Sequence, residues 1–405
     1  MSQKLLIVVS GLIPTVKIIK NTLDQLYPPD LIEIILESDF HRLVLCWNKN
    51  NALFSGIYKI LFIRVCDPIL KPIIKSLIKA RVKYLYYLDD NFWELGKYND
   101  SPLAQFYSHP DTLETLNLFV RHADKVILSS KNLQDYLKTT ISNTHVISAA
   151  FDFSLLQGLT PVPSIDKIKI LYIGTIYRER DFEVVVPALK KILTEYPDKV
   201  IMYFKGFVPS ELKSLQNIIY DEQFKDYEVC IKEQYIFNYD IGIAPLDNTT
   251  FNRAKTNLKY REYGACRIAG IYSDVPPYTD SVISGTNGLL VSHNTQDWYH
   301  GLKTLINNAE LRATIVENAF NDVALNFTHQ KIGPEWENIL NGSQAFQLKK
   351  YLALKLNIEF RIRQKIVALA RFQNMFAYYK KNGLLRTFKK SVKSLTLILQ
   401  YKFIK

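Results

Sequence analysis

Residues 236–291 carry the pattern that most narrows the folds open to this chain. The apolar run IGIAPL ends in the polar loop DNTTFN, a helical pattern follows, and a second apolar run, IAGIYS, ends in DVPPY. Strand, loop, helix and strand in that order form the unit of a parallel sheet, whose ligands bind beyond the carboxyl ends of the strands. Within the helical pattern Lys255, Lys259 and Glu262 stand at i, i+4 and i+7 and share one face, with Leu258 and Ala265 turned towards a sheet. Asn252 or Thr250 is placed to cap this helix. Lys255 then falls in its first turn, where free backbone N–H groups and the positive dipole end attract anions. The rise from Lys255 to Glu262 is roughly 10 Å at about 1.5 Å per residue, the span of a diphosphate and a sugar ring. The plain alternative is a solvated amphipathic helix.

The first ~160 residues alternate strand and helix patterns, with strands expected at 4–9, 43–47, 60–65, 84–88, 125–129 and 144–148. Such alternation implies a parallel sheet with right-handed crossovers. Gly11, just after the first strand, allows a ligand to approach closely on the acceptor side, or simply makes a turn. In YLYYLDDNFWELG an apolar strand delivers Asp89 and Asp90 to its carboxyl end. Adjacent carboxylates repel, so they are tolerated at a surface or held by a partner. They read as a general base for an acceptor hydroxyl, as a metal site, or as a helix N-cap pair.

Residues 151–166, with Gly158, Pro161 and Pro163, read as a hinge. The second half opens with IKILYIGTIYRERDF, a strand running into Gly174 and Thr175 and then a loop with Arg178, Arg180 and Asp181. A glycine at that corner lets backbone N–H groups face a phosphate, and Arg178 adds a bidentate contact. A strand at 200–205 and helices near 297–307 and 310–327 follow, and 334–340 is expected to cross back to the first half.

Asp240, Phe251, Asn252, Lys255, Lys259, Glu262, Pro277, Tyr278 and residues 288–291 together resemble the donor-binding half of GT-B glycosyltransferases of the family 4 type. YYLDDNFW resembles the Asp-Asp-x-x-Trp segment of many such proteins. The resemblance implies an α/β fold of two Rossmann-like, doubly wound domains facing across a cleft. It implies that Glu262 holds the ribose hydroxyls of a nucleotide, and that Gly174, Thr175, Arg178 and Lys255 or Lys259 meet its diphosphate. Asn252 and Tyr278 complete the donor set, and Asp90, with Asp89 second, is the catalytic or acceptor-binding residue. One departure stands out. The family carries two glutamates eight positions apart, the first on the donor sugar, and Ala254 occupies that first position. The sugar contact then falls to Asn252 or loop backbone, and the stereochemical outcome stays open.

The net charge of +12 is concentrated at one end. Residues 345–405 hold eleven Lys and four Arg against the single acid Glu359, a net +14, so the other 344 residues sum to −2. The segment mixes Lys and Arg with apolar and aromatic residues at near-helical spacing. That suits an anionic membrane surface, at about 1 kcal/mol per basic residue, or a partner subunit. Without a recognisable reading module, nucleic acid is the weaker partner. Cysteines 46, 66, 230 and 266 are scattered with no metal-ligand spacing, as in a reducing cytoplasmic protein. The run LLIVVSGLIP is short and broken by Gly11 and Pro14, so it reads as a buried strand rather than a signal sequence.

The expected organisation is therefore an acceptor-side domain over 1–160, a nucleotide-sugar domain over 161–340 and a basic helical tail over 341–405. The expected activity is transfer of a sugar from a nucleotide-diphosphate-sugar co-substrate to a carbohydrate or lipid-linked acceptor in surface polysaccharide synthesis. Neither a metal nor a further cofactor is expected, and the protein would sit peripherally on the inner face of the cell membrane. The alternatives are a GT-B scaffold that has lost catalysis, for which Ala254 speaks, and a sugar-nucleotide epimerase. The metal-dependent GT-A fold ranks low, because it lacks the second nucleotide-binding half.

Overall fold

The computed structural model describes residues 4–45, 56–79, 81–223 and 225–343, with side chains from 42 to 45 left aside. The basic segment 345–405 and Cys46 therefore lie outside the described residues. Twelve parallel strands form two six-stranded sheets. The first comprises β1 (Lys4–Val9), β2 (Ile32–Leu36), β3 (Ile57–Ile63), β4 (Leu85–Leu88), β5 (Lys125–Leu128) and β6 (Thr144–Val146), in the order β2-β1-β3-β4-β5-β6. The second comprises β7 (Ile168–Ile173), β8 (Val200–Lys205), β9 (Ile218–Asp221), β10 (Ile241–Ala244), β11 (Ala269–Ser273) and β12 (Leu289–Val291), in the order β12-β11-β10-β7-β8-β9. In each, the strand order reverses direction at an interior point, which opens a crevice beyond the strand ends.

Central strands such as LLIVV in β1 and LYYL in β4 are buried along their length, because helices cover both faces of a parallel sheet. On one face of the first sheet Phe62, Tyr86, Phe119 and Leu116 pack together, and on the other Ile7, Leu61, Tyr87 and Ile127 do so. That second face is closed by the last described helix, His329–Gly342, which returns from the second half. Its Trp336 stacks on Tyr87 with ring centroids 6.0 Å apart. Ile339, 4% exposed, packs beside it. Ile339→Val should therefore cost ~0.5–1.5 kcal/mol, read as a lower urea midpoint for the first half and not as local fraying of the helix.

One of the expected strands differs. The strand expected at 43–47 is instead a helix, Glu37–Leu45, as far as it is described, and the second strand is β2, IEIIL. Ile32, Ile34 and Ile35 pair beside β1, while Glu37 and Asp39 suit the first turn of the helix that follows. The edge strand β9, IIYD, half exposed and short, carries too little apolar signal to stand out in the sequence.

Candidate active site

The carboxyl ends of the two sheets face each other, and the polar residues collect there. Gly11 follows β1, Arg64 follows β3, Asp89 and Asp90 follow β4, and Gly174 follows β7. Arg64 is held at φ +57°, an unusual backbone for a residue with a side chain, and its N–H donates to the Tyr87 carbonyl at 3.1 Å. That backbone swings its guanidinium across the strand end. It grips Asp89 through two nitrogens, the Nη2 bond being 2.6 Å, and reaches Asp90 Oδ2 from Nη2 at 3.0 Å. Thr15, on the helix after Gly11, also donates to Asp89, and the Phe92 ring lies 5.1 Å under the guanidinium. Asp89 is 5% exposed and fully committed, whereas Asp90 is only half-buried and turns towards the second half.

Lys255 reaches Asp90 from the opposite side. Its ammonium donates to Asp90 Oδ1 at 3.0 Å, between residues 165 positions apart, and sits 4.3 Å over the Phe251 ring. Burial alone would raise the Asp90 pKa, but the Lys255 and Arg64 cations hold it below the usual carboxylate value. The Lys255 pKa is lowered, first by burial and then by the nearby Arg178 cation, with Asp90 opposing both.

A fully buried carboxylate, Asp181, organises the neighbouring loops. It accepts from Arg178 Nη1 at 2.9 Å, Tyr98 Oη at 2.6 Å, Asn252 Nδ2 at 2.9 Å and the Asp247 N–H at 2.8 Å. Tyr98 belongs to the first half and the other three to the second, so Asp181 ties the halves together. Asn252 is 0% exposed, its amide also meets the Asp247 carbonyl at 3.0 Å, and its Oδ1 finds no partner.

The continuous helix expected over 255–262 is interrupted. A four-residue turn, Thr250–Arg253, is capped by Thr249 Oγ1 accepting from the Asn252 N–H at 3.1 Å, and the next helix, Leu258–Ala265, starts only after Asn257. Lys255 thus lies in the link and not in a first helical turn. The cause is tertiary. Phe251 and Ala254 are buried in the core of the first half, where Phe251 stacks on Tyr98 at 5.0 Å, and the Ala254 carbonyl accepts from Ser130 Oγ at 2.7 Å. Arg261, buried in the following helix, holds the link from behind through Thr256 and the Ala149 carbonyl just ahead of the hinge. Burial pushes the Arg261 pKa down to about 10.

Lys259 and Glu262 share the helix Leu258–Ala265 and are joined at 2.5 Å, with Glu262 2% exposed. Gly174 is half-buried and its carbonyl lies beneath Gly206, whose φ is +82°. A Cβ on Gly206 would come within 2.2 Å of that oxygen, so only glycine lets the two loops pass. Thr175 is exposed beside it, Gly11 is half-buried and a Cβ on it would only touch Ile13 at 3.9 Å, and Tyr278 is buried with its ring 4.8 Å from Tyr272. The structure thus brings Asp89, Asp90 and Lys255 into one cluster, joins Arg178 and Asn252 through Asp181, and leaves Tyr278 within aromatic packing. Among the described residues, no three His, Cys, Asp or Glu side chains come together in a way that could hold a metal ion.

Comparison with solved structures fits this geometry. Sucrose-phosphate synthase from Thermosynechococcus elongatus superposes with a TM-score of 0.62 at 14% identity, over 84% of this chain and 99% of its own. HepE of Anabaena, solved with UDP and glucose, gives 0.59 at 16% identity, over 84% of this chain and all of its own. The fold is GT-B. An uncharacterized glycosyltransferase of Methanocaldococcus jannaschii is 24% identical over 238 residues, which is 55% of this chain and 59% of that relative. The chain thus matches about three fifths of the relative's length. No family model matches.

On this GT-B frame, Arg64, Asp181, Tyr98 and Arg261 are the site residues that sequence reasoning passed over. Arg64 had a faint signal, a lone cation one residue beyond an apolar strand and so at the same sheet end as Asp89. Asp181 sat between Arg180 and Phe182 as an unremarkable loop acid, and nothing local marks it as the meeting point of four donors.

Proposed function

We propose that this protein is a glycosyltransferase that moves a sugar from a nucleotide-diphosphate-sugar onto a hydroxyl of a carbohydrate or lipid-linked acceptor. The observation that carries the reading is the juxtaposition, across a GT-B cleft, of Asp90 from the first half with Lys255 from the second, next to the Lys259–Glu262 pair. The UDP and glucose held by HepE support a nucleotide-sugar donor. Glu262 takes the ribose hydroxyls, and Lys255, Lys259 and Arg178 meet the diphosphate. In the reaction the acceptor oxygen bonds to the anomeric carbon, and the bond from that carbon to the diphosphate oxygen breaks. The diphosphate leaves with the electron pair, and Asp90 accepts the hydroxyl proton. Fixed cations that meet the growing negative charge are the main catalytic device, in place of a divalent ion. The basic segment 345–405 would hold the enzyme against an anionic membrane face, where a lipid-linked acceptor of surface polysaccharide synthesis is presented.

Ligand-induced thermal stabilisation across UDP, GDP, CMP and their sugars tests the reading. One diphosphate nucleotide at ~100 times its dissociation constant should add about 2.7 kcal/mol of stability, and the matching nucleotide-sugar should release that nucleotide when acceptor is supplied. A second reading, a GT-B scaffold without catalysis, is favoured by one observation. Arg178, Lys255 and Lys259 are each already paired with a carboxylate of the protein, and Ala254 replaces a glutamate. No stabilisation by any of these nucleotides would move the protein to that reading.

A further inference from the structure

The charges around the cleft balance in pairs. Arg64, Arg178, Lys255 and Lys259 face Asp89, Asp90, Asp181 and Glu262. A donor diphosphate adds negative charge to these four pairs, and a carboxylate that yields its cation to the diphosphate offsets that charge. The pairs differ in how readily they part. Asp181 is 0% exposed and held by four donors, so Arg178 meets a phosphate only while its Nη1 stays on Asp181, since leaving would strand buried groups. Asp89 is gripped by Arg64 through two nitrogens and by Thr15. Lys259 and Glu262 lie three residues apart on one helix. Lys255 and Asp90 alone among these pairs join side chains from opposite halves, through one hydrogen bond of 3.0 Å, with both groups partly open, at 15% and 19%.

We infer that Asp90 and the donor's diphosphate compete for Lys255, so that the Lys255–Asp90 pair is a latch across the cleft that donor binding opens. The inference rests on the donor-site reading above and assigns a further role within it. The anchoring of Lys255 supports it. Phe251 and Ala254, on its amino-terminal side, are fixed in the core of the first half, and Thr256, on its other side, is held by Arg261. The backbone of the link therefore stays in place, and the flexible side chain is the part free to move. When Lys255 turns from Asp90 to the diphosphate, Asp90 keeps only the Arg64 contact on Oδ2, and its Oδ1 is left open to accept a proton from the acceptor hydroxyl. Asp90 is thereby blocked as a base while Lys255 holds its Oδ1 and available once a leaving group has drawn Lys255 away.

Calorimetric titration of UDP and GDP into the full-length protein and two variants tests the latch. Asp90→Asn keeps the volume but removes the competing charge, so the nucleotide that the wild type binds should bind about tenfold more tightly. Lys255→Met should bind it at least tenfold more weakly, and the double variant should match Lys255→Met, because the gain from Asp90→Asn needs the lysine. Asp90→Ser takes the place of Asp90→Asn if circular dichroism shows that the amide variant is misfolded. Wild-type binding with no gain in either Asp90 variant, or a gain that persists without Lys255, overturns the latch while leaving the donor site standing. Binding of neither nucleotide by the wild type overturns the donor reading and the latch with it.

Discussion

Asp181→Ala should lower the stability of the whole protein by about 3–5 kcal/mol, the cost of leaving a buried charged partner unpaired. The carboxylate is inaccessible, and its removal strands Arg178, the Tyr98 hydroxyl and the Asn252 amide together. Urea unfolding followed by circular dichroism reads the loss directly, and a change below about 1 kcal/mol would mean that water replaces the carboxylate at no cost. Asp181→Leu combined with Arg178→Met should recover much of the loss, because a pair of apolar side chains leaves no orphaned charge. If the double change is as damaging as Asp181→Ala alone, Arg178 is not the group that suffers.

Glu262→Ala should weaken nucleotide binding by on the order of 10–100-fold, since hydrogen bonds to a charged group contribute ~1.5–3 kcal/mol. The sign of the effect separates two roles for this carboxylate. If Glu262 holds ribose hydroxyls, the loss falls on the nucleoside diphosphate and on the nucleoside alone. If it serves only to neutralise Lys259 at 2.5 Å, the freed lysine should instead tighten the diphosphate and leave the nucleoside unchanged. Titrating UDP and uridine, or the matching guanosine pair, into both proteins decides between them.

The parts of the fold that were legible in the sequence are those where one signal dominates. Runs such as KLLIVV and VIMYFK are continuous or alternating apolar strands bounded by polar turns, and β1 and β8 begin and end where those runs do. Residues 32–45 failed the same reading because LVL at the end of the helix Glu37–Leu45 is itself a short apolar run, while IEIIL, interrupted by Glu33, lies only partly buried at the sheet edge. The link at Lys255 failed for a different reason. The spacing of Lys255, Lys259 and Glu262 is helical, but burying Phe251 and Ala254 in the other half outweighs the helical turn at that point. Strand ends located Asp89, Asp90 and Gly174, because in a parallel sheet the carboxyl end of every strand opens on the crevice. Pairing is what stayed hidden. Asp90 meets Lys255 and Tyr98 meets Asp181 across 165 and 83 positions, and neither contact leaves a local trace.

The return of the helix His329–Gly342 to the first sheet has a consequence for how the protein is made. On the ribosome the first six strands emerge well before Trp336, so Tyr87 lacks the ring that stacks on it until the second half has been translated. The first half cannot become a finished folding unit ahead of the second. A nascent chain stalled after β6 should therefore present an apolar sheet face to chaperones, and the same face should be protected once residue 342 has cleared the exit tunnel.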